Sequence, residues 1–171
     1  TTMVPIEYEG AEGKIKINLL DTPGYFDFVG EVEEAVSAAD AAIIVVNCKA
    51  GIEVGTEKAW DLCEEYKLPR IIFVTNMDDD HASFRELILK LEKKFGRKIA
   101  PFQVPIRENE KFVGFVNAVK MQGRRFTNLS DYEDCEIPEY TKKNLGIIRD
   151  ALIEAVAETS EEYMELSLIH I

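Results

Sequence analysis

The chain has 171 residues, is 46% hydrophobic and carries a formal net charge of −12. This length allows one domain with a substantial core, or one domain with a small insert. The acidic charge disfavours contact with a phosphate backbone, so we expect no direct nucleic-acid binding by this segment alone, and the short apolar runs predict no membrane contact.

The first hundred residues alternate between strand and helix patterns. Residues 15–19 alternate apolar and polar side chains, which predicts a strand. The next segment predicts a helix with this apolar face: Phe28, Val32, Ala35, Val36 and Ala39. Apolar runs at 41–46 and 71–74 are typical of strands buried on both faces of a parallel sheet, and a helix that Thr56 can cap lies between them. This order predicts an α/β fold with a doubly wound parallel sheet.

The pattern changes near residue 100. Before it, a third helix begins with a capping box at Ser83 and Glu86 and ends at Gly96. Beyond it, extended runs at 101–106 and 112–119 predict a hairpin. A final helix carries this apolar stripe: Leu145, Ile148, Leu152, Ala155, Val156 and Tyr163. We therefore place a boundary near residue 100, followed by a small α+β insert.

The cysteines and the chain start indicate the cellular context. The three cysteines are odd in number and lack metal-ligand spacing. This pattern favours a reducing, cytoplasmic location, and Cys63 falls in an apolar helical stripe that predicts a core position. The chain begins with Thr and shows no signal-peptide pattern, so we expect a fragment or a processed product.

A first motif, Asp-Thr-Pro-Gly at residues 21–24, follows the predicted strand at 15–19. Ligands bind beyond the carboxyl ends of strands in open α/β sheets. Asp21 can hold a Mg²⁺ ion through water beside nucleotide phosphates, and Gly24 leaves a backbone N–H open to a terminal phosphate. The alternative for such a short motif is a simple β-turn.

A second motif, Thr-Asn-Met-Asp at residues 75–78, follows the buried strand at 71–74. Parallel strands would place both motifs at one edge of the sheet. Asp78 could accept two hydrogen bonds from a guanine edge. Taken alone, the segment could equally be an acidic loop favoured by the dipole of the next helix. His81, which follows the acidic residues, is predicted to be a helix-start residue rather than a metal ligand.

The two motifs and their surroundings resemble elongation factor G and its relatives among the translational GTPases. Residues 17–28 match the third GTPase motif of that family, and residues 66–74 lead without a gap into the fourth motif at 75–78. These single residues match between them: Glu31, Val32, Glu33, Asp40, Gly51 and Trp60. The start of the insert within the family's G domain is also matched, most closely at residues 114–116 and 119–121.

The resemblance implies a P-loop NTPase-type fold that binds GTP or GDP with Mg²⁺. It places Asp21 at the Mg²⁺ ion, Gly24 at the γ-phosphate and Asp78 at the guanine, with Thr75 and Asn76 completing the nucleotide-binding fourth motif. The implied activity is GTP hydrolysis coupled to translocation on the ribosome. The insert would contact the ribosomal stalk.

Three positions depart from the family pattern. Tyr25 stands where the family has the histidine that orients the attacking water, so hydrolysis is in question; a phenol is a different electrostatic partner from imidazole. Thr75 replaces an amide side chain, and Asn76 lacks the long aliphatic stem that covers the base. Asp78 is retained, and one charge-assisted hydrogen bond of roughly 1.5–3 kcal/mol preserves about 10- to 150-fold of guanine preference.

The resemblance also predicts the domain organisation. Residues 1–100 form a partial G domain without its phosphate loop, residues 101–166 form the insert, and residues 167–171 are a non-native tail. The phosphate loop of the family would precede residue 1, and we expect weak or no GTP binding by the fragment itself.

Three other functions compete with the leading hypothesis. One is a ribosome-binding module that does not hydrolyse GTP, which the changes at Tyr25, Thr75 and Asn76 favour. Another is a ribosomal protection factor of the tetracycline type, which shares the G domain. A dinucleotide-binding dehydrogenase is disfavoured because no Gly-x-Gly-x-x-Gly motif follows a strand.

Overall fold

The computed structural model describes residues 1–10, 13–79, 81–96, 99–128, 131–159 and 163. The chain divides into two compact units, Thr1–Thr75 and Asn76–Ile171. The boundary predicted near residue 100 and the insert at 101–166 stay predictions, and the predicted tail at 167–171 lies outside the described residues.

The first unit opens with an antiparallel hairpin. Strand β1 (Thr2–Gly10) pairs with strand β2 (Gly13–Asp21), and Thr2 lies opposite Asp21. Strand β2 contains the predicted strand at 15–19. Strand β1 was not predicted from the sequence, because Pro5 interrupts the hydrogen-bonding capacity that marks a strand.

The rest of the first unit is a β-α-β crossover preceded by a helix. A short 3₁₀ turn (Phe26–Phe28) leads into helix α1 (Val29–Ala38), and helix α2 (Val54–Glu65) connects strands β3 (Ala42–Asn47) and β4 (Arg70–Thr75). Strands β3 and β4 are parallel throughout. The predicted helices and the strands predicted at 41–46 and 71–74 are therefore present.

The predicted single parallel sheet is confirmed only in part. Among the described residues, strand β2 pairs with β1 alone, and the parallel pairing is confined to β3 and β4. The prediction that the motifs at residues 21–24 and 75–78 follow strands of one sheet was wrong, because β2 and β4 belong to different sheets. Hydrophobic periodicity identifies a strand but not its partner, which explains the error.

Strands β3 and β4 are buried on one face rather than on both as predicted. Ile44 and Val46 are buried, and α2 packs against β3. The alternating side chains stay in solvent: Ile43 is 60% exposed, Val45 61% and Phe73 56%. A continuous apolar run suits burial on two faces, but the described residues cover only one.

The helix ends show how local polar groups set the element boundaries. Helix α2 has a capping box in which the Glu53 N–H donates to the Thr56 hydroxyl at 3.3 Å, so Glu53 is the N-cap and Thr56 stands in the first turn rather than at the cap as predicted. Helix α3 (Phe84–Phe95) begins as predicted at Ser83, whose hydroxyl accepts from the Glu86 N–H at 3.4 Å, and its C-cap is Gly96 at φ 82°.

The second unit joins helix α3 to a four-stranded antiparallel sheet and a last helix. The strands are β5 (Gln103–Glu108), β6 (Lys111–Asn117), β7 (Gln122–Phe126) and β8 (Tyr132–Cys135), paired in chain order. Helix α4 (Glu139–Ala157) packs on the sheet around this core: Ile106, Val116, Ala118 and Leu145. The predicted hairpin is confirmed, whereas β7 and β8 were missed because they are rich in charged residues.

No described helix is long and apolar enough to cross a bilayer.

Candidate functional site

The first motif forms an open turn after strand β2. Asp21 is the last residue of β2, and its side chain is exposed. Gly24 is also exposed, and a Cβ built on it would meet nothing within 4 Å. The backbone of Gly24 is therefore accessible to a ligand, although neither crowding nor a left-handed φ requires glycine there.

Tyr25 stands at the end of this turn with its side chain in solvent. It is the N-cap of the 3₁₀ turn, and its carbonyl accepts a hydrogen bond from the Phe28 N–H at 3.1 Å. The side chain is 79% exposed. The phenol can thus reach water or a bound molecule without disturbing a core.

Thr75 ends strand β4 opposite Asn47, the last residue of β3. Its carbonyl accepts from the Cys48 N–H at 3.0 Å, and its hydroxyl lies 3.5 Å from the carbonyl oxygen of Val46. The Asn47 side-chain oxygen in turn accepts from the N–H groups of Lys49 and Ala50 at 2.9 and 3.1 Å. The carboxyl ends of both parallel strands are therefore tied together by backbone and side-chain hydrogen bonds.

The rest of the second motif begins a tight segment, described at residues 76–79 and 81–82, which we call the fourth-motif loop. Asn76 has a left-handed φ of 55°, a conformation that asparagine tolerates better than most residues. The Asp79 carboxylate accepts from the His81 N–H at 3.0 Å, and the Asp79 carbonyl accepts from the Ala82 N–H at 3.0 Å. The Asp78 side chain is exposed. The loop thus presents a carboxylate to solvent from a backbone held by its own hydrogen bonds.

Arg107 from strand β5 contacts both ends of this loop. One terminal nitrogen, Nη2, donates to the carbonyl of Met77 at 2.6 Å and to the carbonyl of Ala82 at 3.0 Å. The other, Nη1, donates to the Glu110 carbonyl at 2.8 Å. The Tyr140 hydroxyl of α4 lies 3.0 Å from the backbone nitrogen and 3.0 Å from the backbone oxygen of Arg107.

A metal ion at the first motif would need more ligands than the described residues supply there. The described residues contain no group of three or more His, Cys, Asp or Glu side chains placed to hold a metal. The single exposed carboxylate of Asp21 fits Mg²⁺ in the form that retains several waters and shares phosphate oxygens of a nucleotide.

The predicted site residues fall into two groups. Asp21, Gly24, Tyr25 and Thr75 belong to the first compact unit, whereas Asn76 and Asp78 share the fourth-motif loop of the second. Sequence patterns missed Arg107, because one arginine in an amphipathic strand is an ordinary surface residue until its contacts are known. They missed Tyr140 for the same reason.

Comparisons with known proteins show which family of domains this chain is similar to. The family model described as the elongation factor Tu GTP binding domain matches residues 2–162. A solved structure of a protein from Thermus thermophilus is similar over 98% of this chain, with 33% sequence identity and a TM-score of 0.86. This chain spans 24% of the length of that protein's chain.

Proposed function

Because the chain belongs to the elongation factor Tu GTP-binding-domain family and matches translational GTPases of the elongation factor G type, we propose that it is the nucleotide-binding part of a protein that acts on the ribosome. The proposal covers GTP hydrolysis coupled to translocation, in the cytoplasm. A contact between residues 101–166 and the ribosomal stalk is the finer part of the same proposal.

The observation that carries the proposal is the exposed carboxylate of Asp78 on a hydrogen-bonded loop. A carboxylate has two acceptor oxygens, and the guanine edge presents two adjacent N–H donors. Asp78 then accepts both, which adenine cannot offer. Asn76 and Thr75 stand beside it in the family's base-binding motif, so we assign them supporting contacts.

The first motif takes the phosphate end of the nucleotide in this proposal. Asp21 holds Mg²⁺ through water, and the open backbone N–H of Gly24 donates to the γ-phosphate. The ion, when bound, neutralises charge that develops on the phosphate oxygens. Asp21 orients that ion's water shell, and Gly24 adds a donor that costs no side-chain rearrangement.

Tyr25 sets the rate of the proposed hydrolysis. Its phenol can hydrogen bond to the attacking water, but a neutral phenol oxygen is a weaker proton acceptor than an imidazole nitrogen. Slow hydrolysis with guanine-nucleotide binding is therefore the expected behaviour.

Direct binding and turnover measurements on the full-length protein test the proposal. We expect fluorescent GDP to bind in the presence of Mg²⁺, ADP to compete poorly, and ribosomes to stimulate GTP turnover. Equal affinity for GDP and ADP would contradict guanine recognition, and binding without ribosome-stimulated turnover would contradict the hydrolytic part alone.

A non-hydrolysing ribosome-binding module is the second candidate, and the exposed Tyr25 in place of histidine favours it. It predicts ribosome binding that depends on GTP but no turnover. A ribosomal protection factor shares the same segment and is distinguished by release of tetracycline from ribosomes under the same conditions.

A further inference from the structure

A single side chain bridges the two ends of the fourth-motif loop. Arg107 lies 30 residues after Met77 and 25 residues after Ala82, yet its Nη2 donates to both carbonyls at 2.6 and 3.0 Å. A charged donor makes stronger hydrogen bonds than a neutral one, and the guanidinium is planar and rigid. The separation of the two carbonyls is therefore held by one group.

Arg107 is itself held in place by two other elements. Its Nη1 donates to the Glu110 carbonyl at 2.8 Å, in the turn between β5 and β6. The hydroxyl of Tyr140, in the first turn of α4, accepts from the Arg107 N–H and donates to the Arg107 carbonyl, each at 3.0 Å. The guanidinium is thus held by the hairpin turn, and the backbone of Arg107 by helix α4, and both elements lie far from the loop in sequence.

The Met77 carbonyl is the critical acceptor because of its covalent position. It belongs to the same planar peptide group as the backbone nitrogen of Asp78. Holding that carbonyl fixes the plane from which the Asp78 side chain starts, and so restricts where its exposed carboxylate can point. Without Arg107, the peptide group can rotate about its neighbouring dihedral angles.

We propose that Arg107, held by Tyr140, is a positioning residue that aims Asp78 at the guanine edge and makes base selectivity depend on the β5–α4 part of the chain. The inference rests on the proposed function, since it concerns the same site. Arg107 touches the loop backbone and acts through Asp78.

The test compares GDP with IDP binding to the full-length protein and its variants. Inosine lacks the 2-amino group of guanine, so a correctly aimed Asp78 favours GDP over IDP. In R107M we expect GDP to bind about tenfold more weakly and IDP to change less, so that the preference falls. R107K retains the charge but not the planar fork, so its preference for GDP over IDP should lie between those of the wild type and R107M.

The matched control is R125M. Arg125 lies in the same sheet and forms an ion pair with Glu108, so R125M removes the same charge and leaves Arg107 on the Met77 carbonyl. Its GDP preference should equal that of the wild type. Y140F removes one hydroxyl and should reduce the preference for GDP over IDP by about threefold. This variant tests the proposal independently if R107M fails to fold.

Hydrogen exchange of the nucleotide-free full-length protein gives a second readout. Peptides covering residues 76–82 should exchange faster in R107M and Y140F, but not in R125M. Unchanged exchange there, or equal weakening of GDP and IDP, overturns the inference. If wild-type protein binds GDP and R107M keeps its preference, only this inference fails; if wild-type protein does not bind GDP, the proposed function and the role of Arg107 in base selection fail together.

Discussion

The guanidinium carbon of Arg70 lies 3.8 Å from the centroid of the Trp60 ring. The same side chain forms an ion pair with Glu64, so the first residue of β4 is attached to two residues of α2. Trp60 is buried, and the Arg70 side chain is only 13% exposed. A cation over an indole face in such a covered position contributes about 1–2 kcal/mol.

Loss of this stacking should be visible in the stability of the first unit. We expect Arg70→Ala to lower the free energy of unfolding by about 2 kcal/mol, and Glu64→Gln by less than about 1 kcal/mol, because Glu64 is exposed. Urea unfolding followed by fluorescence measures both, since Trp60 is the one tryptophan of the 171-residue chain. Equal losses in the two variants would show that the ion pair, rather than the stacking, stabilises this corner.

Base selection should respond to the chemistry of residue 78. In Asp78→Asn, the amide nitrogen would face the N–H donors of guanine, so GDP affinity should fall about 10- to 150-fold. Xanthine carries an oxygen in place of the 2-amino group, and the amide can donate to it, so XDP should bind better than GDP. Competition against fluorescent nucleotide measures the reversal. Asp79→Asn is the control, and a similar reversal there would contradict the assignment of Asp78.

Turnover should respond to residue 25 without a change in stability. Because Tyr25 is 79% exposed, Tyr25→His should alter the free energy of unfolding by no more than about 0.5 kcal/mol. Ribosome-stimulated GTP hydrolysis at saturating GTP should rise on the order of 100-fold, the lower range for a positioned imidazole. Tyr25→Phe is the control and should not accelerate turnover. An unchanged rate in Tyr25→His would mean that another step limits hydrolysis.

The stability of the first unit should fall at alkaline pH through Cys63. Burial raises the pKa of this thiol, an effect that nearby Arg70 partly offsets. A thiol whose pKa is higher in the folded state favours folding below its unfolded pKa of about 8.5 and loses that contribution as pH rises toward the folded value. Above about pH 8.5, the urea midpoint of the wild type should therefore fall more steeply with rising pH than that of Cys63→Ala. If the slope in Cys63→Ala equals that of the wild type, the assignment to Cys63 is refuted.

Two glycine substitutions should have opposite effects in the second unit. A Cβ on Gly114 in β6 would collide with the backbone carbonyl of Arg124 in β7 and lie 2.9 Å from the Cα of Arg125. Gly114→Ala should therefore cost about 3 kcal/mol or more. Gly146 in α4 has nothing within 4 Å of the added atom, so Gly146→Ala should stabilise by about 0.5–1 kcal/mol. Chemical denaturation followed by circular dichroism compares the two, and a tolerated Gly114→Ala would contradict the close approach of β6 and β7.

Local patterns in the sequence were sufficient to locate most of the elements and both motifs. The helices, the parallel strands β3 and β4, and the hairpin after residue 100 depend on side-chain periodicity and capping groups within a few residues of each other. Ser83 and Gly96 bound helix α3 as predicted, because capping is a contact between near neighbours in the chain. Charged strands such as β7 and β8 lack that periodic apolar signal and were missed.

The tertiary structure alone decided which surfaces and side chains meet. Periodicity cannot specify that β2 pairs with β1, nor that Ile43 and Phe73 stay exposed while Ile44 is buried, because strand pairing and the covering of a sheet face involve residues distant in sequence. The same limit applies to Arg107. The sequence by itself determined that Asp78 follows strand β4 in a GTPase-like motif, and only the fold brought Arg107 to the peptide group between Met77 and Asp78.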